Sequence, residues 1–124
     1  MSRRTGFRSS LYAATFLSAF FFSACHSYHI DATIENRTGA PIQLLEVDYP
    51  TATFGADSLA ADASFHYRFQ VRGSGQLKVS YIAANGQTIQ ISGPTLAERQ
   101  QGNLDIVLEP SGKAEFHPQL TPPA

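Results

Sequence analysis

From residue 28 onward, apolar and polar side chains take turns along most of this chain. In the stretch SYHIDATIENRT, Tyr28, Ile30, Ala32 and Ile34 fall on one side, and His29, Asp31, Thr33 and Glu35 on the other. A period of two over eight residues predicts a strand with one buried face. Thr38-Gly39-Ala40-Pro41 reads as a turn. In IQLLEVDY, Leu45, Val47 and Tyr49 keep one phase while Ile42 and Leu44 take the other. A bulge near Leu44-Leu45 would return both halves to the core side; the alternative is a strand covered on both faces at its start. The next segment, PTATFGADSLAADA, reads as a loop. SFHYRFQV then alternates with Phe65, Tyr67, Phe69 and Val71 inward, and LKVSYIA with Leu77, Val79 and Tyr81 inward. Asn85-Gly86 is a strong hairpin signal, because both positions tolerate positive φ. The returning strand QTIQIS carries Ile89 and Ile91 and is expected to break at Gly93-Pro94. TLAERQQ fits one helical turn, with Thr95 as N-cap and Glu98 three residues on. NLDIVLE resumes alternation at Leu104, Ile106 and Leu108. After a turn at Pro110-Ser111-Gly112, KAEFHPQL supplies a last strand with Ala114 and Phe116 inward. Pro118, Pro122 and Pro123 read as an extended, proline-rich tail.

This pattern amounts to about seven short strands separated by turn signals, with no long helical period. It predicts an all-β fold, a small antiparallel β-sandwich. The pattern resembles immunoglobulin and fibronectin type III sandwiches in architecture. The chain contains no Trp, so the Cys-Trp-Cys set of true immunoglobulin domains is missing, and the resemblance implies a fold without a function. A closed barrel is the alternative, for which the strand count is short.

The first 24 residues follow a different rule. Arg3, Arg4 and Arg8 give a positive start, Leu11 to Phe22 carries no charge, and Ser23-Ala24 supplies small residues. Those three parts predict a signal peptide over residues 1–24. About twelve residues at 1.5 Å each reach only ~18 Å, short of a ~30 Å hydrocarbon core, which argues against a membrane-spanning helix. Phe22-Ser23-Ala24-Cys25 resembles the lipobox of bacterial lipoproteins, with Phe where Leu is usual. The resemblance implies that the Cys25 thiol receives a diacylglycerol and that cleavage makes Cys25 the first residue. It also implies a bacterial cell-envelope location. His26 stands where inner-membrane retention signals often carry Asp, so the implied destination is the outer membrane, facing the periplasm. Ser2-Arg3-Arg4 is similar to a twin-arginine export signal, but Gly6 stands where that motif usually has Phe. Cys25 is the only cysteine of the chain. A lone exported thiol has no disulfide partner, and lipidation would consume it. The competing reading is an ordinary secretory signal that leaves a free Cys25.

Cleavage would leave residues 25–124 as one small domain. It would also remove three arginines, leaving six Lys/Arg against ten Asp/Glu. A mildly acidic domain of this kind is a poor partner for nucleic acid. No disulfide is available to it, so packing must supply the stability.

Candidate chemistry is sparse. His29, Asp31, His66 and His117 fall in outward phase, with His26 near the start, and three such groups could hold zinc if they converged. No His-x-His or His-x3-His pair supports that, and solvated surface histidines are the simpler reading. Copper(I) is poorly served, since Met1 is the only methionine. No Gly-x-Ser-x-Gly, P-loop or dinucleotide fingerprint occurs. Glu46 and Asp48 are paired carboxylates on one strand face, a pattern that usually keeps a sheet soluble. Asn36-Arg37-Thr38 matches a glycosylation sequon, which a bacterial export context makes uninformative. The segment Asp48 to Leu59, the longest expected loop, offers Tyr49, Phe54 and Leu59 as a partner-binding surface. The competing reading folds Phe54 and Leu59 back to close the core. The sequence therefore reads as a lipid-anchored envelope protein with a binding or structural role, such as an accessory subunit. It is expected to have no catalysis of its own and no cofactor beyond the lipid. The alternatives are a periplasmic metal-binding protein and a carrier or chaperone that holds its substrate along a sheet edge.

Overall fold

The computed structural model describes residues 27–122. The expected signal segment, Cys25 and His26 lie outside the described residues, as do Pro123 and Ala124. Eight strands fill the described chain: β1 (Ile30–Asn36), β2 (Ile42–Tyr49), β3 (Ala52–Leu59), β4 (Ser64–Phe69), β5 (Gly75–Ile82), β6 (Thr88–Leu96), β7 (Gly102–Glu109) and β8 (Lys113–Leu120). They form two four-stranded sheets in the orders β4-β1-β7-β8 and β3-β2-β5-β6. The fold is a β-sandwich divided four and four. One pairing departs from the expected antiparallel plan: β1 and β7 run parallel, from Ile30↔Gly102 to Asn36↔Leu108.

Alternation places the core where the sequence puts it. Ile30, Ala32 and Ile34 of β1 meet Leu77, Val79 and Tyr81 of β5 and Leu104, Ile106 and Leu108 of β7 in one buried cluster. The bulge in β2 is present. Gln43 pairs with Ile82 and Glu46 with Ser80, so Leu44 and Leu45 together face Tyr81. Leu44 takes φ 49° and stands 53 % exposed, while Ile42 and Leu45 on either side are buried. The extra residue resets the phase, and both halves of β2 reach the core.

Three expectations are corrected. The expected loop from Pro50 to Ala63 contains strand β3, paired in register with β2 from Ile42↔Leu59 to Tyr49↔Ala52. Its buried residues, Phe54 and Leu59, lie five apart, out of any period of two, and the rest are small or polar. Backbone pairing makes this strand, not side-chain patterning. The strand break expected at Gly93-Pro94 does not occur, since β6 runs on to Leu96. Both prolines inside strands, Pro94 and Pro118, sit on edge strands, where a missing N–H costs no ladder bond on the open side. Finally, no helical turn forms over Thr95 to Gln101. Gln100 folds its side chain back instead: its Oε1 accepts the Ala97 N–H at 2.8 Å and its Nε2 donates to the Thr121 carbonyl at 2.8 Å. The turn is closed by a buried amide, with Arg99 at φ 69° beside it.

At the other end of the sandwich Asn36 does the same work. Its side chain is fully buried. Nδ2 donates to the carbonyls of Ala40 at 2.8 Å, Leu59 at 3.0 Å and Ala60 at 3.1 Å, and Oδ1 accepts the Thr38 N–H at 3.1 Å. One side chain thus ties the β1–β2 turn to the β3–β4 connection. The sequon-like Asn36-Arg37-Thr38 is a structural staple in this fold.

Candidate functional site

The outward positions of the sheet containing β1 line up in rows across its four strands. His66, Thr33, Asp105 and His117 form one row; Arg68, Asp31, Asn103 and Gln119 form the next. This face collects all four of the histidine and aspartate candidates, His29, Asp31, His66 and His117, as their outward phase predicts. It does not bring them together. Three strand spacings separate His66 from His117, ~14 Å at ~4.8 Å each. His117 instead lies 3.2 Å from the Glu115 carboxylate. His29 has its ring nitrogen 3.4 Å from the Gln70 amide. Only His66 and Asp31 approach, at 3.7 Å, and Asp31 is already engaged by the Arg68 guanidinium at 3.0 Å. That hydrogen bond holds the Asp31 carboxyl below the usual carboxylate range, and Asp31 in turn raises Arg68. The fixed cation beside Asp31 opposes the approach of a metal ion. Among the described residues no three His, Cys, Asp or Glu groups converge.

The outer face of the second sheet is equally dispersed. Glu46 pairs in register with Ser80, and Asp48 with Lys78. Asp48 also accepts the Thr53 hydroxyl from β3. The two carboxylates face different cross-strand neighbours and do not form an acid–base pair.

The expected partner-binding loop is also corrected. Phe54 is 5 % exposed and Leu59 is buried with it, so neither is presented to a partner. Tyr49 is half-buried, and burial raises its hydroxyl pKa. Tyr49 and Phe54 belong to an aromatic seam joining the edge strands of the two sheets. Phe54 of β3 stacks on Tyr67 of β4 at 4.4 Å and 14° and meets Phe69 at 5.3 Å, while Tyr49 lies 4.4 Å from Phe69. β3 and β4 belong to different sheets and share no ladder, so ring contacts close this flank. Tyr67, inward in phase, remains 42 % exposed because β4 is an edge strand.

Three concave features lie at the ends of the sandwich. One end, formed by the β1–β2, β5–β6 and β7–β8 turns, holds a depression of about 430 Å³ that includes Thr38, Tyr81, Ile89, Glu109 and Ser111. Tyr81 is almost wholly buried there, which raises its pKa. The opposite end, where the described chain begins, has two grooves. One of about 510 Å³ includes Tyr28, Arg72, Glu98 and Arg99. The other, of about 620 Å³, includes His29, Asp31, Arg68 and Gln119. Sequence phase alone did not single out Arg72 or Arg99, because both lie in connections whose meeting is decided by the fold.

No protein family matches this chain. No curated protein matches it. Among solved structures, an NMR structure of a protein from Eubacterium rectale is similar, at TM-score 0.53 and 11 % identity, over 73 % of this chain and 88 % of that one. At that identity the likeness is one of fold alone.

Proposed function

We propose that this protein is a lipid-anchored component of a bacterial cell envelope, with a binding or structural role and no catalysis of its own. The observation that carries the reading is the position of Cys25. It follows a charged, apolar and small-residue series and stands two residues before the first described residue of the sandwich, Ser27. The two acyl chains of a diacylglycerol would hold such a protein stably where one would not. The binding or accessory role draws support from the surface. Each outer sheet face carries polar groups joined across strands, Arg68–Asp31 on one and Thr53–Asp48 on the other. A face of that kind suits contact and solubility more than chemistry. The carrier alternative rests on the two proline-free edge strands, β3 and β4, along which another chain could add.

Two measurements test the proposal. The mass of the mature protein taken from its own membranes should show a diacylglyceryl-modified Cys25 as the first residue. An unmodified Cys25, or a retained signal segment, would refute the anchor. Cross-linking in the same membranes should capture one dominant envelope protein at near-equal amount. Recovery of the anchored monomer alone would refute the accessory role.

A further inference from the structure

We infer that the end of the sandwich built around Tyr28, Arg72 and Arg99 is a seat for the phosphate headgroups of an anionic lipid surface. This rests on the proposed lipidation of Cys25 and adds an orientation to it. Only His26 separates Cys25 from Ser27. Two Cα steps of 3.8 Å allow at most ~7.6 Å of tether. A lipid on Cys25 would therefore hold this end within about one Debye length of the headgroups, ~8 Å at physiological ionic strength.

The charges at that end are unlike those elsewhere. Arg68, Arg72 and Arg99 stand there against Asp31 and Glu98. The other three Lys/Arg of the described residues share the remaining surface with eight carboxylates. On an acidic domain, the two grooves beside the tether thus carry three arginines against two carboxylates. Asp31 neutralises Arg68 at 3.0 Å, which leaves Arg72 and Arg99 as the outward cations. Arg72 donates to the Gln70 side chain at 3.1 Å, and Arg99 is held out on the β6–β7 turn that Gln100 closes. Both arginines border the same groove as Tyr28, which is 37 % exposed. A tyrosine with an apolar ring and a polar tip suits the depth of the headgroups. Each arginine near an anionic surface contributes about a fivefold preference. Two of them, partly opposed by Glu98, orient the domain while the acyl chains hold it.

The test uses the full lipidated protein in vesicles of phosphatidylcholine alone, or of phosphatidylcholine and phosphatidylglycerol in equal parts. An arginine-selective dicarbonyl footprints the surface, read by mass spectrometry. Arg72 and Arg99 should react about fivefold more slowly on the anionic vesicles. Arg37, at the far end beyond β1, should react equally on both. The protection should vanish near 1 M salt, where the Debye length falls to ~3 Å. Equal reactivity of Arg72 and Arg99 on the two vesicles overturns the inference. So does equal protection on neutral vesicles with inorganic phosphate added, which would make the occupant a free anion. The same spectra separate the two proposals: an unmodified Cys25 ends both, whereas a lipidated Cys25 without arginine protection ends only the orientation.

Discussion

Replacing Asn36 tests whether a buried amide holds the far end of the sandwich together. Its Nδ2 serves three carbonyls and its Oδ1 one N–H, at a site with no solvent exposure. Alanine would leave the Leu59 carbonyl unsatisfied in the interior, and those of Ala40 and Ala60 partly so. An orphaned buried polar group costs ~1–3 kcal/mol, so the combined loss is about 3 kcal/mol. A domain of roughly a hundred residues has only ~5–14 kcal/mol to lose. At ~4–8 °C per kcal/mol, Asn36→Ala should melt ~12–24 °C below the parent. Asn36→Asp makes the sharper comparison, because it keeps the shape and the acceptor but turns the donor into an acid facing three carbonyls. Ionisation there is opposed by burial and by those dipoles, so the folded pKa should lie above the unfolded value of ~3.9. The folded state then binds more protons than the unfolded state, and stability falls as pH rises from about 4 to the folded pKa. Relative to the parent at each pH, Asn36→Asp should be close to Asn36→Ala or better in acid and worse at neutrality. Denaturant unfolding followed by circular dichroism, at acid and neutral pH, reads both effects. A loss under ~1 kcal/mol for alanine, or an aspartate penalty independent of pH, would refute the account of the staple.

Other positions give independent checks. Phe54→Ala removes the ring at the centre of the seam and should cost ~3–4 kcal/mol in chemical denaturation. A near-neutral result in denaturation, with loss of a cross-linked partner, would instead revive the recognition role. Gly55→Ala should destabilise by several kcal/mol, because a Cβ there overlaps the Leu45 carbonyl of β2. Unchanged stability would show that the two strands do not approach so closely. Arg68→Gln removes the main cause of the low Asp31 pKa. The carboxyl should titrate nearer its ordinary value by NMR. With Arg68 present, the Asp31 contribution to stability exists above the unfolded pKa and fades as pH falls through the folded one. An Asp31 titration unmoved by the substitution would assign the shift elsewhere.

Periodicity alone determined much of this protein. Strands β1, β5 and β7 were legible because each buries alternate residues on one face, β4 because Phe65, Tyr67 and Phe69 keep one phase even with Tyr67 exposed, and the β2 bulge because Ile42 and Leu45 break that alternation by one step. Histidine phase told which residues face outward, but phase says nothing about distance across a sheet. Only the strand order β4-β1-β7-β8 separates His66 from His117, and only cross-strand register gives Asp31 to Arg68. Strand β3 escaped notice because its identity lies in hydrogen bonds to β2, while Gly55, Ala56 and Ser58 carry little side-chain signal. The parallel β1–β7 pair joins segments far apart in sequence, and no local pattern encodes such a partner. Asn36 read only as part of a sequon, and Gln100 as part of a helical turn, until the folded turns surround them with carbonyls and N–H groups. Local alternation states which face of a strand is buried; the partners of an edge, an amide or an arginine exist only once distant segments have met.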